Sequence, residues 1–279
     1  MCYAVGMGEK EIIRRTGETP ISQGRLEEDL RSLGVEPGVC IIVHSSLSSC
    51  GWVCGGAHAL VLALEEVVRP WGLLVMPTHS GHLSDPAGWQ HPPVPEQWWE
   101  PIRETMPAYD PDLTPSRGVG VVPELFRKQA DVVRSAHPQL SFAVWGEDAV
   151  EMAAGHEPDY SLGEGSPLAK IYKRDGYVLL IGAGYESNTS FHLAEYRASF
   201  PKKREIEAGA PVMIDGHRRW KLFRDIDINS DDFGEIGKAF EKRYGDEISI
   251  GKVGLATARL FRQRLCVDFA VHWLERHRI

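Results

Sequence analysis

The chain has 279 residues, 43% hydrophobic and 25% charged, which is enough apolar material for one large domain with a real core. Its formal net charge of −8 argues against general nucleic-acid binding, which needs a basic face, and no apolar run reaches the roughly 18 residues of a membrane span. The five cysteines (Cys2, Cys40, Cys50, Cys54, Cys266) form no paired framework and the opening residues lack a signal-peptide layout, so a reducing cytoplasm is expected.

In chain order, ISQGRLEEDLRSLGV sets Leu26, Leu30 and Leu33 at helical spacing. GVCIIVHSS reads as a buried strand, GGAHALVLALEEVV as a helix with an apolar stripe, and GLLVMPTHS as a second strand. Such a strand–helix–strand unit implies a right-handed crossover in a parallel sheet. Residues 81–117 break the rhythm: dense in Pro, Trp and acids, they read as a lid or binding loop. Beyond them, VPELFRKQ and SPLAKIYKRDG read as helices, and LSFAVWG and YVLLIGAG as strands. NTSFHLAEYRA then forms a helix that places His192 and Glu195 on one face. PVMIDGHRRWKLFRDIDIN looks like a hairpin turning at Asp215-Gly216. DFGEIGKAFEKRYG and LATARLFRQRLCVDFAVHWLERH read as amphipathic helices. With no repeat and no clean linker, the expected class is a single α/β domain.

Four stretches can carry chemistry. In VHSSLSSCGWVCGGAHALVLAL, residues 43–64, a strand ends in a loop with Gly51, Gly55 and Gly56 before a helix start. That arrangement presents backbone N–H groups and the positive helix end to an anion, and glycine lets a phosphate approach closely; the glycines could equally just shape the turn. It is neither a Walker A loop nor a G-x-G-x-x-G turn. TPSRGVG, residues 114–120, is a second candidate anion site through Ser116, Arg117, Gly118 and Val119, or a plain N-cap. His192 and Glu195 could be a base with its helper, two metal ligands or an incidental polar face. THSGHLSD brings His79, His82 and Asp85, which with His192 could hold zinc, although the segment follows a strand and contains a glycine, so helical spacing is not available. Cys50 and Cys54 could be a redox pair or half a metal site, but no second half exists. The 81–117 stretch mixes Trp89, Trp98 and Trp99 with Asp85, Glu96, Glu100 and Asp110, which could hold a polycation by charge and ring stacking or simply keep the loop soluble.

The run VHSSLSSCGWVCGGAHALVLAL resembles the coenzyme A-binding signature of the aminoglycoside 3-N-acetyltransferases, H-S/A-S-L followed by G-x-V-x-G-G-A. The likeness continues, in the family's order, through GLLVMPTHS, YDPDLTPSRGVGVVPELFR, VVRSAHPQLSFAVWG, LGEGSPLAKI, VLLIGAGYESNTSFHLAEYRA and WKLFRDIDINSDDF, covering about residues 25–275. The resemblance implies an α/β sandwich around a central mixed sheet flanked by helices, distinct from the common GNAT acetyltransferases, as one domain over 1–279 with a loop insertion at about 81–117. It implies acetyl-coenzyme A as cosubstrate, no metal, and acetyl transfer to the 3-amino group of an aminoglycoside antibiotic, an activity that confers resistance. The expected partners are that cationic amino sugar and coenzyme A, with no nucleic acid or membrane, in a monomer or homodimer.

Residue by residue, the resemblance assigns the cofactor to His44, Ser45, Ser46, Leu47, Gly51, Trp52, Val53, Cys54, Gly55, Gly56, Thr78, Ser116, Arg117, Gly118 and Val119. It makes His192 the general base. An amine attacking a thioester must lose a proton, which imidazole suits near neutral pH, and a carboxylate fixes its tautomer. The family's acid five residues after a Trp falls on Asp225, after Trp220, which is expected to orient His192, with Asp227 on the same strand face. Glu195 is expected to bind the cationic substrate or support its helix, alongside Asp85 and Asp227, with His79 in the pocket wall. Two other readings stand beside this one: a metal-dependent hydrolase using His79, His82, Asp85 and His192, and a non-catalytic coenzyme A- or sugar-binding protein.

Overall fold

The computed structural model describes residues 8–279, so the expectation for Cys2 lies outside the described residues. Its strands are β1 (Cys40–Ser45), β2 (Leu73–Pro77), β3 (Val132–Arg134), β4 (Phe142–Gly146), β5 (Tyr177–Ile181), β6 (Glu205–Ile214), β7 (His217–Ile226), β8 (Ser249–Val253) and β9 (Ala256–Arg262). Its helices are α1 (Glu9–Thr16), α2 (Gln23–Leu33), α3 (Gly56–Val68), α4 (Trp99–Thr105), α5 (Val121–Phe126), α6 (Ala149–Ala153), α7 (Pro167–Lys173), α8 (Ser190–Arg197), α9 (Phe233–Tyr244) and α10 (Gln263–His277). None of these helices is long and apolar enough to cross a membrane.

Seven strands form one sheet in the order β3-β4-β2-β1-β5-β9-β8. The central β2, β1 and β5 run parallel, while β4, β3, β9 and β8 each pair antiparallel, so the sheet is mixed as the resemblance implies. Alternation along the strands divides the core in two. Ile41, Val43, Leu74, Met76, Leu179 and Ile181 pack with α2, α3 and α5. Ile42, Leu73, Val75, Val178 and Leu180 pack with α6 through α10 on the other face. Local signals agree with this placement: α2 is capped by Ser22 Oγ accepting from Arg25 N at 3.2 Å, buries Leu26, Leu30 and Leu33, and ends at Gly34 in the left-handed conformation.

The chain leaves β1 towards α3 on one face and leaves the adjacent β5 towards α8 on the other. Neighbouring strands that diverge in this way open a crevice beyond their carboxyl ends, where α/β sheets bind ligands. Gly182 sits in that crevice with φ 62°, and a Cβ there would lie 2.4 Å from Ser49 Cβ. Gly182→Ala should therefore destabilise the fold by about 2 kcal/mol or more, through positive-φ strain and overpacking. A parent-like urea midpoint for this variant would show that the 47–50 turn yields freely.

β6 and β7 stand apart as a two-stranded hairpin, and Asp215 (φ 49°) with Gly216 (φ 76°) makes the turn at the expected place. Two expectations fail. LATARLF is not helical: Ala256, Ala258 and Leu260 alternate into the core as β9, and the helix starts only at Gln263. The 81–117 stretch is also not a bare loop. It holds α4 and short 3-10 turns, and it is tied to the hairpin by Tyr109 N to Pro211 O (2.9 Å) and Arg218 Nε to Met106 O (2.9 Å). Arg134, buried, fastens its end by donating to Thr114 O at 2.5 Å and to Thr78 O at 2.6 Å.

Candidate active site

α8 is set by the loop before it. Asn188 is fully buried, accepts from Ser190 N at 3.2 Å and donates to Cys266 Sγ at 3.3 Å, which holds the start of the helix against α10. Two residues on, His192 packs its ring 4.7 Å from that of Phe233, and its Nδ1 lies 2.5 Å from Glu195 Oε2. The Glu195 side chain is only 1% exposed. Its other oxygen accepts from Asn229 N at 2.9 Å and from the Arg278 guanidinium. With Glu195 as a carboxylate, which can only accept, the ring hydrogen in this contact belongs on Nδ1, and the Nε2 lone pair is then available.

Two further imidazoles lie on the same side of the sheet. Alternation along β1 puts His44 on the Ile42 face, the side of α8. His79 follows β2 and is close enough to His192 and His44 to feel their charges. Burial pushes the imidazoles of His44 and His79 down to about 3, with the neighbouring histidines adding to the effect on His79. Both rings are therefore uncharged near neutral pH. His44 Nε2, Ser45 Oγ and His79 Nε2 are buried polar atoms without a hydrogen-bond partner. Each such atom costs roughly 1–3 kcal/mol unless something pairs with it. Three of them lie at the carboxyl ends of β1 and β2, where a ligand can pair with them.

The glycine loop is partly consumed by the fold. Gly51, Gly55 and Gly56 take positive φ (89°, 85° and 58°), which explains the residue type. Trp52 N, however, donates to Thr16 Oγ1 (2.6 Å), Cys54 N to Ile21 O (2.8 Å) and Gly56 N to Val53 O (2.9 Å), with Val53 buried against Ile21. The anion-facing feature that remains is the N-terminus of the 13-residue α3, which no side chain caps. Ser46 N bonds Ile181 O at 2.8 Å and its Oγ accepts from Ser49 Oγ at 3.0 Å, while Leu47 packs on the core. Burial pushes the Cys50 thiol up to about 12, the opposite of an activated nucleophile, and Cys54 is exposed.

Several expected roles are corrected. Asp225 does not hold His192: its carboxylate accepts from Ser161 Oγ at 2.6 Å and from the Tyr196 hydroxyl. It does point inward with Phe223, but it meets α8 at Tyr196, one residue past Glu195. Glu195 in turn is too buried, and too fully bonded, to reach a substrate cation. Asp227 lies beyond the end of β7, exposed, 3.7 Å from Arg204. Asp85 caps Ala87 N and forms a two-pronged pair with Arg103 (2.8 and 3.0 Å), so its charge is already matched. Thr78 is fully buried and shares its hydroxyl with Ser141 Oγ (3.3 Å).

The second anion site also changes. Ser116 gives both its N–H (2.9 Å) and its hydroxyl (2.6 Å) to Glu124, which is held well below the usual carboxylate range: burial opposes this, but bonds from Arg127, Lys128 and Ser116 outweigh it. α5 is only six residues long and starts after Gly118 and Val119, so it offers little dipole. What remains there is the exposed Arg117, whose N–H ties the segment to His79 O at 2.7 Å. The hydrolase reading finds no support, because among the described residues no three such side chains converge as metal ligands. Sequence reasoning missed Asn229 and Arg278, since no local spacing connects either to Glu195.

Comparison with known proteins fits this geometry. Residues 42–275 match the aminoglycoside 3-N-acetyltransferase family. The SPbeta prophage-derived aminoglycoside N(3')-acetyltransferase-like protein YokD of Bacillus subtilis (strain 168) is 46% identical over 265 residues, spanning 95% of this chain and 96% of the relative. The crystal structure of YokD superposes with a TM-score of 0.92. A structure described as AAC-IIIb binary with CoASH is 30% identical with a TM-score of 0.82, covering 92% of this chain and 97% of that one. Another, AAC-VIa bound to sisomicin, is 32% identical with a TM-score of 0.84, covering 93% and 99%. With the fold, the order of motifs and these relatives in agreement, the chain belongs to the aminoglycoside 3-N-acetyltransferase family, a family of acyltransferases.

Proposed function

We propose that the protein transfers the acetyl group of acetyl-coenzyme A to the 3-amino group of an aminoglycoside, with His192 as general base and Glu195 as the acid that orients it, and that it thereby inactivates the antibiotic. The observation that carries this reading is the His192–Glu195 contact, which commits Nδ1 and leaves Nε2 free, with unpartnered polar atoms of His44, Ser45 and His79 at the carboxyl ends of β1 and β2. Its support from relatives is that one holds coenzyme A and another an aminoglycoside.

The acceptor nitrogen attacks the thioester carbonyl carbon and gives its proton to His192 Nε2. The carbon–sulfur bond then breaks, and the departing coenzyme A thiolate takes that proton from His192 Nε2, leaving as its thiol and restoring the base. Glu195 stabilises the imidazolium formed in the first step. His44 and His79, being neutral, can offer hydrogen bonds without repelling a cationic acceptor. The Ser45 hydroxyl, unpartnered at the end of β1, suits the developing oxyanion better than Thr78, whose hydroxyl is turned to Ser141. No acyl-enzyme is needed. α3 and Arg117 supply positive potential for the phosphates of the cosubstrate.

The test is thiol release from acetyl-coenzyme A across aminoglycosides with and without a 3-amino group. Release is expected only with the former. No release with any of them, or release indifferent to that amine, would overturn the assignment.

A further inference from the structure

Arg278, the residue after α10, belongs to no motif in the sequence, yet its guanidinium reaches acceptors on three residues. It bonds Asp232 with two prongs (2.7 and 2.6 Å), Asn229 O at 2.6 Å, and the Glu195 oxygen that does not face His192. The two-pronged pair with Asp232 would by itself anchor this end of the chain. The additional bond, to a carboxylate 1% exposed on another helix, links the chain end to the proposed dyad.

We propose that Arg278 is a positioning residue: it keeps the buried Glu195 carboxylate ionised and aimed at His192 Nδ1. This rests on the reading of His192 as the base. A carboxylate out of water takes up a proton readily unless a cation and hydrogen bonds oppose it. The groups facing the pair are few. His79 and the Phe233 ring face His192; Arg278, Asn229 N and the more distant Lys203 face Glu195; Asp232 faces Arg278. Without Arg278, the first proton taken up by the His192–Glu195 pair binds more easily. Wherever that proton resides, Nε2 loses its lone pair: on the ring it makes imidazolium, and on Glu195 it turns the acid into a donor to Nδ1 and moves the ring hydrogen to Nε2.

The experiment is the pH dependence of kcat/KM for Arg278→Met in the full chain, with thermal unfolding and acetyl-coenzyme A binding as controls. We expect kcat at neutral pH to fall about tenfold or more, with both KM values nearly unchanged. The acid limb should move up by about one pH unit. Arg278→Lys should restore part of both effects. Asp232→Asn should lower the unfolding temperature and leave the limb in place, since Arg278 can still reach Glu195. Should Arg278→Met fail to fold, Arg278→Gln carries the same expectation. An unmoved limb with parent kcat in whichever neutral variant folds overturns the proposal, and so does an Asp232→Asn limb that moves as far as that of Arg278→Met. A dead His192→Ala beside an unmoved Arg278→Met sinks this inference alone, whereas an active His192→Ala sinks the reading beneath it.

Discussion

Replacing His192 with alanine is expected to lower kcat by about 10³-fold while leaving acetyl-coenzyme A affinity within a few-fold of the parent. The separation follows from placement. His192 sits on α8 with its Nδ1 fixed by Glu195, whereas the cosubstrate's phosphates are expected at the α3 end of the crevice and at Arg117. Losing the ring removes the proton acceptor but neither of those positive features. An amino group held as ammonium cannot attack a thioester, so the loss should appear in the chemical step. Thiol release measures the turnover and calorimetry the affinity. A variant that turns over normally would remove the base from the mechanism; one that also loses the cosubstrate would place His192 in the binding surface.

Glu195→Gln is expected to cost about 10²-fold or more in kcat, and more than Asp225→Asn. The amide that replaces the carboxylate can donate to His192 Nδ1, which would place the ring hydrogen on Nε2, the atom that must accept. The substitution also removes an anion from Arg278, so some stability should be lost as well. Asp225→Asn acts elsewhere. It weakens the bonds from Ser161 and Tyr196 that hold the hairpin to α8, at a cost of about 1–3 kcal/mol in stability and less than about tenfold in turnover. Urea unfolding and steady-state rates on the two variants separate these effects. If Asp225→Asn proved the more damaging to kcat, the acid spaced from Trp220 would be restored as the orienting group.

Much of the architecture was legible because it is local. The glycines of the 43–56 loop take the positive φ that only glycine adopts cheaply, and Asp215-Gly216 turns the hairpin for the same reason. The strand–helix–strand rhythm of residues 40–77 leads directly to the parallel pair β1 and β2. β9 was hidden because its seven residues, ATARLFR, run straight into a helix and are too short a stretch to separate period 2 from period 3.6. The 81–117 stretch misled in a related way, since composition cannot show that Tyr109 and Arg218 pin it to a hairpin about a hundred residues away in the chain.

The site divides along the same line. His192 and Glu195 lie three residues apart on one helix, so the sequence by itself determined that they could touch. It also determined that His44 near the end of one strand, His79 after the next and the glycine loop would gather at one end of a sheet. Which carboxylate contacts the ring was decided only by tertiary structure: Asp225 and Glu195 are both buried acids at α8, and the outcome depends on whether the hairpin meets that helix at Tyr196 or one residue earlier. The same holds for Asp85, whose charge is absorbed by Arg103, and for Arg278, which reaches Glu195 across 83 residues of chain. Side-chain pairing of this kind depends on burial and on angstrom-scale distances between elements, and neither is encoded in the spacing of residues along one strand or helix.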